Sequence, residues 1–111
     1  MNIEFLPEAR SELLDAYEYY EDQASGLGAC FWAEVDAHIE WIAKHHIVPR
    51  PREGGYRRVN LRIFPYYIAY SVQGEKIWIF AIAHGRRKPN YFIARSYSVH
   101  EPIAPYALAG W

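Results

Sequence analysis

The sequence predicts an α+β fold with the element order β-α-α-β-β-β. Two segments in the first half repeat their apolar residues with the period of an α-helix, and three segments in the second half have the alternation or the apolar composition of β-strands. Because the two helices are consecutive and separated by a short break, they should form a helical hairpin that packs on one face of a mainly antiparallel sheet.

The first 46 residues predict one short strand followed by the two helices. Polar and apolar residues alternate at 2–5, which predicts an edge strand, and Pro7 suits the first turn of a helix, where its missing N–H costs nothing. The first helix should run from Glu8 to about Gln23 and the second from about Ala29 to His46, with a break at residues 25–28. The second helix has an apolar stripe formed by Phe31, Val35, Ile39 and Ile42.

The first strand of the second half shows a two-residue period. Val59, Leu61 and Ile63 alternate with polar residues, which predicts one buried face and one solvated face. Pro65 should end this strand, because a proline removes a donor from the ladder. The preceding residues 47–55 contain two prolines and two glycines and therefore predict a loop without regular structure.

The other two strands are almost wholly apolar. They are predicted at residues 66–72 and 77–83, and Gly74 lies in the short hairpin connection between them, where it can take a positive φ at little cost. The last strand has no polar face, so it should lie at the centre of the sheet with both faces covered. Three cations follow shortly after it, namely Arg86, Arg87 and Lys88.

The length of 111 residues suits a single domain, which we place at residues 1–95, followed by a C-terminal tail at 96–111. The one cysteine, Cys30, excludes an internal disulfide and gives no metal cluster. The sequence has no basic and apolar leader, and its longest apolar runs have the length of strands, so we predict a cytoplasmic protein without a membrane span. We found no motif that would bind a cofactor or a metal.

Charge is distributed unevenly along the chain. Residues 1–43 have ten acidic side chains and one basic side chain, whereas residues 44–111 have eleven basic and three acidic side chains. This asymmetry predicts a basic face, made by the sheet and its loops, that would suit a polyanion or an acidic peptide. Alternatively, the two halves neutralise each other where the helices pack on the sheet.

Three motifs in the second half resemble one protein family. They are Gly-Tyr-Arg-Arg at residues 55–58, Phe-Pro-Tyr at 64–66, and His-Gly-Arg-Arg-x-Pro-x-Tyr-Phe-x-x-Arg at 84–95. In this order they resemble the ParE/RelE superfamily, the toxins of bacterial type II toxin–antitoxin modules, also called plasmid stabilisation proteins. The resemblance covers roughly residues 3–95 and implies the same fold. It also implies a cognate antitoxin with a DNA-binding dimerisation domain and a flexible tail that folds over the toxin.

One branch of this superfamily, the RelE-type proteins, consists of ribosome-dependent mRNA endoribonucleases. In these enzymes cations stabilise the phosphate transition state, and a tyrosine or another side chain helps to move protons. The resemblance places Arg57 or Arg58, together with Arg87 and Tyr91, in these roles. The nucleases, however, have an arginine early in the second strand of the meander, where this chain has aromatic residues at 64–67.

The Phe-Pro-Tyr segment is instead similar to the ParE branch, whose members lack a ribonuclease site and act on DNA gyrase. The resemblance therefore implies a toxin without catalytic residues that inhibits DNA gyrase and is neutralised by its antitoxin. A ribosome-dependent nuclease is the alternative, and a toxin-fold protein that only binds its antitoxin is a third possibility. The residues expected to bind a partner are Arg58, Arg62, His84, Arg86, Arg87 and Lys88.

The arginines near the first strand have a functional and a structural interpretation. Planar guanidinium groups can bind phosphates or carboxylates through two donors, and Arg58 and Arg62 should share one side of the strand. A solvated strand face would have the same pattern. His84 could equally serve only to cap the end of its strand.

Overall fold

The computed structural model describes residues 2–95, and it confirms the predicted α+β fold and the order of its elements. The predicted tail at 96–111 lies outside the described residues. A short third helix near the end of the described chain was not predicted from the sequence. The elements are β1 (Asn2–Phe5), α1 (Pro7–Gln23), α2 (Leu27–His45), β2 (Arg57–Asn60), β3 (Tyr66–Gln73), β4 (Lys76–His84) and α3 (Asn90–Ile93).

The four strands form one mixed sheet in the order β1-β4-β3-β2. The meander β2-β3-β4 is antiparallel, and β1 pairs with β4 in parallel. The position of β4 between β1 and β3 confirms that the most apolar strand lies inside the sheet. Gly74 has a φ of +60° in the connection from β3 to β4, as its place in a short hairpin predicted.

Both faces of β4 are covered. On one face, Ile79 and other buried side chains of the sheet pack with α1 and α2, including Phe31 and Ile42. On the other face, Phe80 and the two β4 alanines belong to a second cluster around Phe92 of α3. The absence of a polar face in this strand is therefore explained by a layer on each side. Neither of the two long helices, nor α3, is long and apolar enough to cross a membrane.

The helical hairpin is closed by the side chain of Glu21 at the end of α1. Its carboxylate accepts hydrogen bonds from the backbone N–H groups of Gly26 and Gly28, at 2.9 and 3.0 Å. Negative charge is favourable there, because the first N–H groups of a helix have no partner within the helix. A Cβ atom on Gly28 would lie 2.7 Å from the Tyr17 carbonyl oxygen, so glycine at this position allows the two helices to approach closely.

The strand β2 is shorter than the sequence predicted. It ends at Asn60, and the side chain of Ile63 is 80% exposed, so the prediction that Ile63 lies on the buried face is wrong. The cause is Glu34 of α2, whose carboxylate accepts hydrogen bonds from the backbone N–H groups of Arg62 and Ile63. These N–H groups point to a helix instead of a strand, and the chain leaves the sheet.

Beyond the end of β1, side chains instead of a strand provide the hydrogen-bond partners of the β4 backbone. The last pair between these strands joins Phe5 and Ile79, and a register shift in the pairing with β3 makes Phe80 an extra residue, a β-bulge. Beyond this point Glu12 accepts the backbone N–H of Ile82 at 3.0 Å. Arg95 donates to the Phe80 carbonyl oxygen and to Glu12, both at 2.9 Å.

We predict that replacing Glu12 with alanine lowers the free energy of unfolding by about 2 kcal/mol, because hydrogen bonds to charged groups contribute roughly 1.5–3 kcal/mol each. The substitution removes an acceptor from the backbone of β4 and leaves Arg95, which is mostly buried, without its carboxylate. Urea denaturation followed by circular dichroism would measure the change. Glu18→Ala, at an exposed position of the same helix, is the control. Equal stability of the two variants would contradict the role of Glu12.

Candidate functional site

A groove between α2 and the edge strand β2 contains two of the six predicted partner-binding residues. It has a volume of about 520 Å³, and we call it the α2–β2 groove. Arg58 and Arg62 both line it, opposite the half-exposed Trp41. Arg62 follows the end of β2, so these two arginines are brought together by the groove and not by the alternation of a strand. Its lining residues are Ala37, His38, Trp41, Pro49, Arg58, Val59 and Arg62.

The Arg58 side chain is held in place by an aromatic ring and an amide. Its guanidinium carbon lies 3.9 Å from the centre of the Tyr67 ring, a cation–π contact. Its Nε and Nη2 atoms donate to the side-chain oxygen of Asn60, at 3.2 and 2.9 Å. The orientation of this cation is therefore fixed before any partner arrives.

Arg57, one of the residues suggested for the nuclease alternative, is bound to the protein itself. Its Nη1 atom donates to the carbonyl oxygens of Ile47 and Pro49, in the loop that follows α2. The Tyr70 hydroxyl donates to the carbonyl oxygen of His46 at 2.7 Å. These donors satisfy carbonyl groups at the end of α2, where positive charge is also favourable.

The second group of predicted residues lies at the end of β4 and in the turn before α3. The Nδ1 atom of His84 accepts a hydrogen bond from the backbone N–H of Arg86 at 3.2 Å, and its ring packs edge-on against Tyr66. Arg87 stacks on Tyr91, with 3.6 Å between its guanidinium carbon and the ring centre. The side chains of Arg86, Arg87 and Lys88 are exposed.

A row of contacting rings separates the two groups. Tyr67 contacts Phe92 at 6.0 Å between centroids, and Phe92 contacts Tyr91 at 5.2 Å. Arg58 stacks on the Tyr67 ring and Arg87 on the Tyr91 ring. The row of rings therefore links Arg58 to Arg87, but the structure does not bring the six residues into a single pocket.

The Tyr91 hydroxyl stays protonated at neutral pH. Burial raises its pKa to about 12; nearby Glu12 adds to this effect, and Arg87 and Arg95 oppose it. A tyrosine with this pKa can donate a proton or a hydrogen bond, but its oxygen is not available as a base near pH 7.

The Phe-Pro-Tyr segment lies in an apolar, aromatic environment. Phe64 is buried against Tyr20 and Phe31, and the Tyr66 ring contacts the same two rings. Burial also raises the pKa of Tyr66. The place where the nucleases have an arginine is thus occupied here by side chains of the protein core.

Most of the basic residues have no carboxylate partner in the part of the chain that the structure describes. The ion pairs within residues 2–95 are Lys76–Glu4, at 4.0 Å, and Arg95–Glu12. The arginines at 50–62 and the cations at 86–88 take part in neither. The interpretation in which the two halves of the chain neutralise each other is therefore not supported, and a basic surface is available.

Three contributors to the site were not found by sequence reasoning. Glu34 is one of the ten acidic side chains of residues 1–43, and no local signal shows that it positions the backbone at Arg62. The Glu12–Arg95 pair joins residues too distant in sequence to be paired from one sequence. The helix α3 has only four residues, too few for a helical period to be recognised in the sequence.

Comparison with known proteins decides the family. A family model described as "ParE toxin of type II toxin-antitoxin system, parDE" matches residues 3–89. The chain belongs to this ParE toxin family. It is 35% identical over 80 residues to the protein Toxin ParE2 of Mycobacterium tuberculosis, in strains CDC 1551 / Oshkosh and ATCC 25618 / H37Rv, across 71% of this chain and 76% of that protein.

A solved structure supports the fold of this ParE family member. A chain from the structure titled "Chromosomal ParDE TA system from P. aeruginosa" superposes with a TM-score of 0.57 and 22% identity. The match covers 76% of this chain and 95% of that chain. The architecture of helices packed on a four-stranded sheet is thus shared with a structure from a toxin–antitoxin system.

We expect Arg57 to be needed for stability. Replacing it with alanine should lower the free energy of unfolding by about 1–2 kcal/mol, because two carbonyl oxygens after α2 lose a charged donor. Thermal unfolding would measure this. Arg62→Ala is a matched control, since the Arg62 side chain is exposed and makes no hydrogen bond within residues 2–95. If Arg62→Ala lowered the free energy of unfolding as much as Arg57→Ala or more, the stabilising role of Arg57 would be refuted.

We also predict that Tyr91 makes the protein sensitive to alkali. An unfolded tyrosine loses its proton near pH 10, whereas folded Tyr91 keeps it to about pH 12. Its contribution to stability should be complete below pH 10 and should be lost as the pH rises towards 12. The difference in unfolding free energy between the wild-type protein and Tyr91→Phe should therefore shrink over this interval. A difference that does not change with pH would disprove the assignment.

Proposed function

We propose that this chain is a toxin that inhibits DNA gyrase by binding it, and that a cognate antitoxin holds it inactive. The observation that carries the proposal is the apolar packing of Phe64 and Tyr66 where a RelE-type nuclease would have a cation. Loss of one preorganised charge from a site of phosphoryl transfer reduces the rate by orders of magnitude. Membership of the ParE family points in the same direction.

The other residues of the nuclease alternative also fit a binding role better. Arg57 donates to two backbone carbonyl oxygens, and Arg58 donates to Asn60. Burial raises the pKa of the Tyr91 hydroxyl, which makes the hydroxyl harder to deprotonate than that of an ordinary tyrosine. Arg87 stacks on Tyr91 and is exposed, so its guanidinium group is accessible to a partner.

The α2–β2 groove is the place where we expect the antitoxin tail to bind. Arg58 and Arg62 provide positive charge, and Trp41 provides an apolar contact within the groove. Ile47 and Val48, which follow α2, are 70% and 66% exposed. A segment in which acidic and apolar residues alternate would match both properties, and it would fold as it binds.

Purified protein tests the proposed target directly. Incubation with DNA gyrase, ATP and supercoiled plasmid, followed by denaturation, should yield linear DNA, and prior addition of the antitoxin should prevent it. In cells, brief induction without antitoxin should stop DNA synthesis before protein synthesis. If protein synthesis stops first and mRNA is cut in the ribosomal A site, the nuclease alternative is correct. No effect on either process would indicate a protein that only binds its antitoxin.

Calorimetry tests the antitoxin contact separately. The double variant Arg58→Glu/Arg62→Glu should bind the antitoxin at least about tenfold more weakly, because two attractive charges become repulsive. Arg10→Glu/Lys76→Glu changes the net charge equally at the β1 edge of the sheet, and it should bind as the wild-type protein does. Equal affinities of the two double variants would exclude the α2–β2 groove as the site.

A further inference from the structure

Four exposed cations lie in the segments next to α3, the helix that packs on the sheet face away from the two long helices. They are Arg52, Arg86, Arg87 and Lys88, and we call this region the α3 surface. Arg52 and Lys88 line one groove of about 530 Å³ between the turn at 52–56 and α3. Arg87 stacks on Tyr91 of α3, and Arg86 precedes it in the same turn. Residues far apart in sequence are thus collected into one positive region.

The turn that positions Arg52 is fixed against α3. The backbone N–H of Arg52 donates to the Tyr56 carbonyl oxygen at 2.8 Å, and the Tyr56 ring packs edge-on against Phe92. Gly54 has a φ of +99°, and a Cβ atom there would lie 2.7 Å from the Ile93 side chain. Because the backbone approaches α3 so closely, Arg52 is held beside Lys88 before any ligand binds.

The charge of this surface is not compensated within the described chain. None of its four cations belongs to an ion pair within residues 2–95. The carboxylates that share a groove with these cations are Glu53, beside Arg52 and Lys88, and Asp15 and Glu12, beside Arg87; Glu12 is already paired with Arg95. Positive charge therefore exceeds negative charge here, although the whole chain has a net charge of −1.

The α3 surface differs from the α2–β2 groove in its exposed large apolar side chains, although Pro89 and Ile93 line part of its groove. The exposed large apolar side chains of residues 2–95 include Trp41, Ile47 and Ile63 near that groove, but none in the turn at 52–56 or at 84–95. The rings beneath the α3 surface, Phe92 among them, are buried. A peptide partner usually needs exposed apolar anchors, whereas phosphate groups need only donors and positive charge.

We infer that the α3 surface binds the sugar–phosphate backbone of a nucleic acid. The exposed donors of Arg52, Arg87 and Lys88 would contact successive phosphates, without reading the bases. This activity is additional to the proposed function and does not require gyrase. In a complex that contains DNA it would place the toxin against the duplex.

The test is fluorescence anisotropy of the purified full-length chain with a short labelled DNA duplex, over a range of NaCl concentrations. The wild-type protein should bind with an affinity that falls steeply with salt. Arg52→Glu/Lys88→Glu should weaken binding by about tenfold or more, and it should reduce the slope of log K against log salt by roughly two, since each phosphate contact contributes about 0.9. Thermal unfolding would verify that the variant is folded.

The control Arg10→Glu/Lys44→Glu makes the same change in net charge on the two long helices. It should leave the affinity near that of the wild-type protein. Equal weakening by both double variants would overturn the inference, because net charge alone would then explain the effect. Absence of nucleic-acid binding at low salt would overturn it as well, whatever the result of the gyrase assay.

Two further probes identify the ligand. A labelled single-stranded RNA of the same length distinguishes RNA from DNA. Binding of either nucleic acid supports a phosphate site, and the one that binds more tightly is the preferred ligand. A labelled polyglutamate peptide represents an acidic protein segment. If polyglutamate binds at least as tightly as both nucleic acids, the α3 surface recognises carboxylates, and the inference is wrong.

Discussion

The arrangement of this small domain depends on how the backbone hydrogen-bonding groups of β4 find partners beyond the end of β1. β1 pairs with β4 only as far as Ile79, and the β-bulge at Phe80 then turns a carbonyl group towards the open edge. Glu12 and Arg95 complete the hydrogen bonds of that edge and bind each other. They therefore connect α1, β4 and the segment that contains α3. The position of α3, and of the cations around it, follows from this three-way connection.

Much of the fold could be predicted because the signals were local. The helical stripe of α2, the apolar composition of β4 and the glycine between β3 and β4 each report on their own segment, and the structure agrees with them. The prediction was wrong at Ile63, whose alternation with polar neighbours suggested a buried strand residue. There a carboxylate from Glu34, far away in sequence, competes successfully for the backbone N–H groups. Such competition leaves no trace in the local pattern.

The positive charge of the candidate site could be predicted from the sequence, but its geometry could not. The charge asymmetry showed that a basic surface should exist, and Arg58, Arg62 and Arg86–Lys88 do lie on the surface or at its grooves. The sequence could not show that Arg57 turns towards the end of α2 whereas Arg58 stacks on Tyr67. Neighbours on a strand point to opposite faces, so one arginine stabilises the fold and the next remains available to a partner.

The short edges of the sheet affect how the protein behaves when it is not bound to a partner. β1 and β2, the two edge strands, have four residues each, and the chain leaves β2 where Glu34 takes its N–H groups. Charged side chains complete the edge of β4 beyond β1. Long, flat edges invite other chains to add strands, which leads to aggregation. In the described part of the chain little edge is open to such pairing, which disfavours the addition of a strand from a second copy.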